Sequence, residues 1–366
     1  MLEKIRGIFS SQTIALRYEK YKKYISPLAL LAGFILDSLT LRRADLLAEN
    51  LLIVVYLLIV STGICLLNIW QVPDSIKENK VHLTTHLFVQ FAFGGLFSTF
   101  LVFYTRSGAF STSFLFILFI ALNLIGSEIW KKKYLVCSFQ ISILFLAIYS
   151  YTIFLVPIIF NQIGAAMFFL SGAISLGIIY LYLLIFFFYT KEKFVHKKKL
   201  IARNVGIIFV VMNFFYFTNI IPPVPLSLND KGVYHSLTPV SGGYLALNEV
   251  KVWRDYFRLS KVFHKRPGDV VYVYSAVFSP TDLNISLVHD WQYFDDSKNR
   301  WVTQNKVSAP IIGGREAGYR FYSINKRIFP ALWRVDVETA RGQVIGRIKF
   351  RVVNAVKPLD LVEVVK

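Results

Sequence analysis

The chain has 366 residues, of which 55% are hydrophobic and 17% charged, and its formal net charge is +19. This composition is too apolar for an ordinary soluble domain. The cations cluster beside apolar runs, and the chain has no zinc-finger, RNP or helix-turn-helix motif. We therefore expect a lipid bilayer as partner and no nucleic acid.

Seven apolar runs are long enough to cross a bilayer, because a spanning helix needs about 20 apolar residues. They cover 25–41, 48–70, 85–104, 110–130, 135–160, 165–189 and 200–221. Residues 1–24 form a basic lead without the cleavage site of a secretory signal. The sequence predicts a seven-span α-helical transmembrane domain over 25–221, preceded by a cytoplasmic lead.

Lysine and arginine residues are spread unevenly between the predicted loops. The lead and the loops after spans two, four and six hold sixteen of them, whereas the other short loops hold three. Short loops rich in Lys and Arg remain in the cytoplasm. We therefore expect a cytoplasmic N-terminus and, with seven spans, a C-terminal part on the outer side.

A polar cluster marks the outer end of the first span, where charged side chains are costly and often functional. It consists of Asp37, Arg42, Arg43 and Asp45. Two hypotheses fit these residues. They form a salt-bridged turn between spans one and two, or they line a polar pocket at the outer face.

Pro222, Pro223 and Pro225 end the last span, because proline lacks the backbone donor and disfavours helix in the residue before it. We predict a proline-rich linker and loop over 222–248, extended as far as Leu228. The segment 249–263 fits two structures. It forms a basic amphipathic helix on the membrane surface, or it is the first helix or strand of the next domain.

Residues 249–366 predict an all-β domain with an Ig-like sandwich fold, because apolar residues alternate with period two from Val270 onwards. In one strand Trp333, Val335 and Val337 face the core and Arg334, Asp336 and Glu338 face solvent. If Thr339 opposes Val344, then Asp336 opposes Arg347 as an oppositely charged pair on the solvent side.

Catalytic motifs are missing from the β domain: it has no Gly-x-Ser-x-Gly elbow, no His-Glu-x-x-His and no Gly-Lys-Ser/Thr loop. We expect no cofactor and no metal site, and we lean towards a protein that is not an enzyme. The histidines His235, His264 and His289 are scattered along the chain, and His289 also suits a buried, hydrogen-bonded role.

A glycine-rich loop at 313–318 is the best candidate for ligand binding, since glycine permits close backbone approach and arginine binds oxyanions. Nearby aromatic side chains suit stacking on a sugar or peptide. The candidate set consists of His289, Trp291, Arg315, Tyr319, Arg320, Tyr322 and Trp333. The alternative is a hairpin loop with solvated arginines.

Several short motifs resemble a bacterial family, the domain of unknown function 2914. In the C-terminal part they are His289-x-Trp291, Arg320-x-x-Ser323 and Trp333-Arg334-Val335; in the apolar half they include Phe103-Tyr104-x-Arg106-Ser107. The resemblance implies a bacterial protein, so we expect the inner membrane and, from the distribution of loop charges, a periplasmic β domain. It implies no reaction, because the family has none assigned.

We therefore predict a non-enzymatic membrane protein whose β domain binds an envelope protein or a glycan. One alternative is a transporter or lipid-handling protein with the β domain as an external lid. The remaining alternative is an enzyme of envelope lipids or polysaccharides, for which the sequence has no motif.

Overall fold

The computed structural model describes most of the chain in ten stretches. These are residues 34–35, 37–41, 45–69, 80–129, 136–190, 197–250, 260–280, 284–312, 318–356 and 358–366. The predicted lead at 1–24 lies outside the described residues. The chain divides into two compact units, within 1–102, 118–152 and 172–211 and within 103–117, 153–171 and 212–366.

Six helices of 20 residues or more lie in the described part of the first 217 residues, after a short helical stretch within 34–40. They are α1 (Leu47–Ile69), α2 (Lys80–Arg106), α3 (Phe110–Ile129), α4 (Cys137–Phe160), α5 (Ala165–Thr190) and α6 (Lys198–Phe217). Their bounds follow the predicted spans two to seven closely.

Five of these helices are long and apolar enough to cross a membrane: α1, the part Phe88–Arg106 of α2, α4, α5 and α6. Their mean hydropathy lies between 1.5 and 2.5. In α3 the shorter segment Thr112–Leu124 is apolar. The predicted combination of apolar helices followed by a β region is therefore confirmed, whereas the number of seven spans stays a prediction.

The first unit packs its helices closely through glycine. A Cβ atom on Gly63 of α1 would meet Val89 at 2.2 Å, and one on Gly95 of α2 would meet Tyr56 at 2.7 Å. Such close approach is the usual way in which helices associate in lipid, where no hydrophobic force drives them together. Nothing comparable faces Gly94, which has no neighbour within 4 Å of its Cβ position.

Eleven strands form the described β region. They are β1 (Ser227–Tyr234), β2 (Ser236–Val240), β3 (Gly243–Glu249), β4 (Lys261–Lys265), β5 (Val271–Phe278), β6 (Asn284–Asp295), β7 (Arg300–Ile312), β8 (Tyr319–Asn325), β9 (Ala331–Thr339), β10 (Val344–Asn354) and β11 (Leu361–Val365). Three sheets result, with strand orders β1-β5-β8, β4-β10-β9-β6-β7 and β11-β3-β2.

The three-stranded sheet β1-β5-β8 is the middle layer, and β5 explains why. Val271, Val273 and Val277 pack into the large core shared with the five-stranded sheet. Tyr274 and Ala276 pack on the other side, in a smaller core with residues of β2 and β3. Because β5 is buried on both faces, apolar residues occupy both sets of its alternate positions.

The prediction of a linker and loop over 222–248 is wrong for most of this segment. Strands β1, β2 and β3 occupy 227–249, and β3 pairs with β11 at the far end of the region. The proline segment before them is buried and turns, with Val224 N donating to Pro222 O at 2.8 Å and a cis peptide bond at Val224-Pro225. Its apolar side chains pack into the fold, so it does not extend into solvent.

The ambiguous segment 249–263 is only partly described, because 251–259 lie outside the described residues. Its last part belongs to strand β4, which pairs in parallel with β10; Phe263 opposes Val352. Phe263 is fully buried in the large core. The segment therefore contributes an edge strand of the five-stranded sheet.

The register of β9 and β10 agrees with one predicted pair and corrects another. Arg347 opposes Asp336, as expected, but Val344 opposes Glu338 rather than Thr339. A bulge between Val344 and Gly346 supplies the extra residue. It also turns Ile345, instead of Val344, into the core.

The second compact unit joins the β region to the ends of five helices. It contains 103–117, where α2 ends and α3 begins, 153–171, where α4 ends and α5 begins, and the last residues of α6. The loop residue Ala109 donates its N–H to Val344 O at 3.4 Å. A Cβ on Gly108 would meet Pro222 at 2.7 Å, so the helix ends and the proline segment are in tight contact.

Candidate functional site

The predicted ligand-binding residues lie in several separate places. His289, Trp291 and Trp333 are all 0% exposed and belong to the core side of the five-stranded sheet. Arg315 lies outside the described residues. The three buried side chains hold the sheets together and do not line a surface.

The β8 residues of that set point to opposite sides of the middle sheet. Tyr319 packs on the large core, whereas the Tyr322 ring contacts Tyr244, with 5.3 Å between centroids, in the smaller core. Arg320 donates from Nη1 to the carbonyl of Gly242. The described part of the predicted set therefore does not converge on one site.

His289 forms a buried hydrogen-bond network with two serines. Its Nδ1 lies 2.8 Å from Ser323 Oγ, and its Nε2 lies 2.8 Å from Ser275 Oγ. Trp291 Nε1 donates to Ser323 Oγ at 2.9 Å. The Ser323 hydroxyl then donates to Nδ1, so we assign the ring proton to Nε2, which donates to Ser275.

Burial lowers the pKa of His289 to about 3. The ring is therefore neutral at physiological pH and closed to solvent. No carboxylate orients it, as a catalytic triad requires. The network satisfies polar groups inside the core, which is the structural role that the sequence allowed for this histidine.

Two other histidines, which seemed scattered in the sequence, meet at one carboxylate. His235 Nε2 lies 3.0 Å from Oε1 of Glu249, and His264 Nδ1 lies 2.7 Å from Oε2. Burial raises the pKa of Glu249, but the hydrogen bonds from His235 and His264 outweigh that effect, and the net pKa lies below the usual value. His235 lies between β1 and β2, Glu249 on β3 and His264 on β4, and β3 and β4 belong to different sheets, so the packing of the sheets brings the three together and no local motif indicates it.

The best candidate for a functional surface is the side of the five-stranded sheet that faces away from the core. A row of charged residues crosses four strands there. It consists of Lys306, Asp290, Asp336 and Arg347. Arg347 makes a forked ion pair with Asp336, at 2.6 and 2.7 Å.

The acidic side chains of this row are buried, although the sequence predicted that Asp336 faces solvent. Asp290 and Asp336 are 4% and 3% exposed. Lys306 lies 3.6 Å from Asp290 and 3.0 Å from Glu338. The long basic side chains cover the carboxylates. Burial raises the pKa of Glu338, and its hydrogen bond to Lys306 opposes that shift.

The rows of outward-facing side chains next to this charged row contain aromatic and basic residues. Arg334 lies over the Trp301 ring, 4.3 Å from its centre, and Lys349 lies 5.9 Å from the same centre. The Trp301 and Phe294 rings meet edge to face at 5.3 Å. Arg351, opposite Leu332 in the register, is exposed beside them. We call Phe294, Trp301, Arg334, Lys349 and Arg351 the aromatic-basic face.

Within the described residues, the aromatic-basic face has cations that are not paired with carboxylates. The carboxylates of the adjacent row are paired with Arg347 and Lys306, whereas Lys349 and Arg351 have no carboxylate within ion-pair distance in the described part of the chain. The face therefore offers positive charge beside partly exposed rings. Alternation in β7, β9 and β10 predicts outward positions, but only the register shows that these five residues are neighbours.

Metal binding finds no support in the described residues, where no group of three or more His, Cys, Asp or Glu side chains is arranged to hold an ion. In the polar cluster at the first span, Asp37 and Asp45 are described and partly buried. Arg42 and Arg43 lie outside the described residues. That cluster stays a prediction.

Residues 284–352 match the family described as protein of unknown function DUF2914. The match confirms the resemblance for the C-terminal region. It runs from the first residue of β6 into β10, so it contains the core tryptophans and the whole aromatic-basic face. The apolar helices lie outside it.

Comparison with curated proteins gives no match. Among solved structures, the chain is similar to the alkylpurine DNA glycosylase AlkC of Pseudomonas fluorescens, bound to DNA containing an abasic site analog. The identity is 10%, the TM-score is 0.21, and the alignment covers 90% of this chain and 82% of that chain. A likeness this weak supports no conclusion about fold or function.

Proposed function

We propose that this protein is a non-enzymatic, multi-pass inner-membrane protein whose periplasmic β region binds an anionic glycan of the cell envelope. The aromatic-basic face carries the proposal. Trp301 and Phe294 provide rings for stacking on sugars, and Lys349 and Arg351 provide charges for carboxylate or phosphate groups. An envelope protein with an acidic surface is the other partner that this chemistry fits.

The outer location of the β region is part of the proposal and has its own support. The β region shares a compact unit with the loops at 107–109 and 161–164. These loops contain no lysine or arginine, whereas 191–199 contains five lysines. By the positive-inside rule, the lysine-poor side faces outwards. A count of seven spans and an Ig-like classification of the three-layered β region belong to the same proposal.

Cysteine labelling tests the orientation. The chain has two cysteines, Cys65 and Cys137, both in apolar helices, which are replaced by serine first. A Val356→Cys variant then carries a single thiol on a residue that is 93% exposed. A membrane-impermeant maleimide is expected to label it in cells with a permeabilised outer membrane and an intact inner membrane. Labelling only after lysis of the inner membrane overturns the periplasmic assignment.

Binding to immobilised glycans tests the function. The full chain in lipid nanodiscs is expected to bind acidic envelope polysaccharides more tightly than neutral ones, with weaker binding at high salt. Trp301→Ala and the double variant Lys349→Gln/Arg351→Gln are expected to lose about tenfold or more in affinity. Arg327→Gln is the matched control, since it removes an exposed charge on the β8–β9 connection.

Equal binding by the wild type and both face variants contradicts the proposal. If acidic proteins bind and glycans do not, with the same dependence on Trp301, the partner is a protein. The transporter and enzyme hypotheses remain predictions from the sequence, because the described residues contain no observation that favours either.

A further inference from the structure

The sheet β11-β3-β2 has two edges that differ in what they offer to a further strand. An unpaired edge exposes a row of backbone N–H and C=O groups, which natural proteins commonly block with proline, lysine or a bulge. Strand β2 contains Pro239. Strand β11 has the sequence Leu-Val-Glu-Val-Val, without proline or lysine, and it pairs with β3 without a bulge.

Three backbone hydrogen bonds fix the direction of the backbone groups on β11. Tyr244 and Lys366 exchange two of them, at 2.8 Å each, and Val250 N donates to Asp360 O at 3.1 Å. Hydrogen-bonded and non-hydrogen-bonded pairs alternate along an antiparallel ladder, so the even-numbered residues of 360–366 bond to β3. The residues that direct their N–H and C=O groups to the free edge are Leu361, Glu363 and Val365.

The same alternation shows that the β2 edge is closed. Tyr244 uses both of its backbone groups with Lys366, so Pro239, which lies opposite Tyr244 on β2, directs its own groups away from β3. Proline has no N–H to donate there. Of the two edges of this sheet, β11 alone therefore presents a full row of donors and acceptors.

Side chains along β11 are aliphatic on both faces of the sheet. Opposite residues of an antiparallel pair project to the same face, so Val364 shares a face with Ala246, which packs in the smaller core. Val362 lies on that face as well and is 45% exposed. Leu361 and Val365 lie on the other face, and Val365 is 69% exposed. A further strand would remove part of this apolar surface from water, which is favourable.

The charge of Glu363 determines which strand fits. Glu363 is exposed at the centre of β11 and is the one charged residue among its five. A second copy of β11, paired symmetrically around this residue, would bring two glutamates together, and like charges directly opposite each other destabilise a pair of strands. A cation in the same place stabilises the pair. The charge therefore disfavours self-pairing and favours a strand with lysine or arginine.

We propose that the free edge of β11 binds an extended segment of a partner protein as a fourth strand of this sheet. The added strand is antiparallel, because all pairing in the sheet is antiparallel and such ladders are slightly more stable per residue. Main-chain hydrogen bonds form the ladder, and a lysine or arginine of the partner lies opposite Glu363 with aliphatic residues on either side. The site is independent of glycan binding, since none of its residues belongs to the aromatic-basic face.

A synthetic peptide tests the edge on the full chain in nanodiscs of phosphatidylcholine. The probe is Thr-Val-Ile-Lys-Ile-Val-Thr with fluorescein at its amino end and an amide at its carboxyl end. With the lysine opposite Glu363, the two valines lie opposite Leu361 and Val365. Fluorescence anisotropy measures the affinity, and empty nanodiscs give the background from lipid. We expect saturable binding to the protein-containing discs alone.

Two N-methylated peptides test the backbone ladder. In the antiparallel register the lysine N–H donates to Glu363 O, whereas the isoleucine N–H groups point away from β11. N-methylation of the lysine removes a ladder bond and is expected to weaken binding about tenfold or more. N-methylation of the isoleucine before it is the matched control and is expected to change the affinity by less than about twofold.

A charge reversal tests the role of Glu363. Glu363→Lys is expected to weaken binding of the lysine peptide about threefold or more, and to strengthen binding of the same peptide with glutamate in place of lysine. Asp296→Lys makes the same change of charge on the exposed β6–β7 turn and is expected to bind both peptides as the wild type does.

Hydrogen exchange locates the bound peptide. The amides of Leu361, Glu363 and Val365 are expected to exchange more slowly when the peptide binds, because it accepts their hydrogen bonds. Trp301→Ala is expected to bind the peptide as the wild type does, so failure of this site is distinguishable from failure of the glycan-binding face.

The proposal is overturned if the peptide does not bind, or if N-methylation of the isoleucine weakens binding as much as N-methylation of the lysine. Slow exchange of the three edge amides without peptide also contradicts it. Protection that rises with protein concentration then assigns the edge to a second copy, and protection that is independent of concentration assigns it to another part of the same chain.

Discussion

The hydroxyl of Ser323 lies 2.8 Å from Nδ1 of His289, and both residues are fully inside the β region. Ser323 is on β8 in the middle sheet and His289 on β6 in the five-stranded sheet. One buried hydrogen bond therefore joins two layers of the fold. Ser323 Oγ also accepts from Trp291, so a single hydroxyl satisfies two core side chains.

Replacing Ser323 by alanine tests how much its hydroxyl contributes to the stability of the β region. Ser323→Ala leaves the Trp291 N–H and the His289 ring nitrogen unpaired in the core, and each costs about 1–3 kcal/mol. We expect a loss of about 2–4 kcal/mol in the stability of the β region, measured as faster hydrogen exchange in β6 and β8 of the full chain. Ser308→Ala, at an exposed position of β7, is the control. A loss below about 1 kcal/mol would contradict the network.

His289 predicts a pH dependence of stability. Its pKa is about 3 in the folded protein, against a usual value of 6.5. Below pH 6.5 the His289 ring is protonated in the unfolded chain but stays neutral in the folded protein. The free energy of unfolding therefore falls as the pH drops from 6.5 towards 3. At pH 5 the loss from this residue is about 2 kcal/mol.

The measurement is hydrogen exchange or thermal unfolding of the full chain between pH 4 and pH 7.5. His289→Gln is less stable at pH 7 but is expected to show a shallower fall over this window. Glu338, whose pKa is raised by burial, titrates in both proteins, so the difference between them isolates the histidine. Identical slopes would show that His289 is not the titrating group.

Substitutions of Asp336 and Arg347 are expected to have non-additive effects on stability. Arg347→Met leaves Asp336 opposite Asp290 without its forked partner, and breaking a buried pair costs about 3–5 kcal/mol. Because Arg347 is partly exposed, we expect about 3 kcal/mol. Adding Asp336→Asn is expected to recover more than half of that loss. Additive losses in the double variant would indicate that the two side chains act independently.

Two glycines with similar backbone conformations are expected to differ in the stability lost when alanine replaces them. Gly318 and Gly268 have φ angles of +88° and +84°. A Cβ on Gly318 would lie 3.1 Å from the Val277 carbonyl carbon, whereas a Cβ on Gly268 meets nothing within 4 Å. Gly268→Ala is expected to cost about 1 kcal/mol from backbone strain alone, and Gly318→Ala about 2–4 kcal/mol. Thermal unfolding of both variants checks the order, and equal losses would exclude the predicted clash with the β5 backbone.

The local spacing of apolar residues was sufficient to predict the elements whose environment is simple. Apolar runs of about 20 residues predicted the helices, since lipid demands an unbroken apolar surface. Alternation predicted that Trp333, Val335 and Val337 face the core, and all three are buried. The same alternation assigned Asp336 to solvent, which is wrong, because Arg347 from the neighbouring strand β10 and Arg334 from the same strand cover it.

Long-range pairing decided the rest. The sequence predicts a linker and loop over 222–248, yet β1 pairs with β5, and β3 pairs with β11 more than a hundred residues later. A single strand cannot indicate its partner, because pairing depends on residues distant in the chain.

The sequence by itself determined the apolar helices, the change to β structure and the Asp336–Arg347 pair, because each depends on spacing within a short segment. Only the tertiary structure decided which side chains meet. It brought His235 and His264 to Glu249, placed Trp301 beside Arg334, and seated Arg341, on the turn between β9 and β10, over the Tyr216 ring. These contacts join strands and helix ends far apart in the chain, and the physical cause is the stacking of three sheets and the burial of the proline segment at the helix ends.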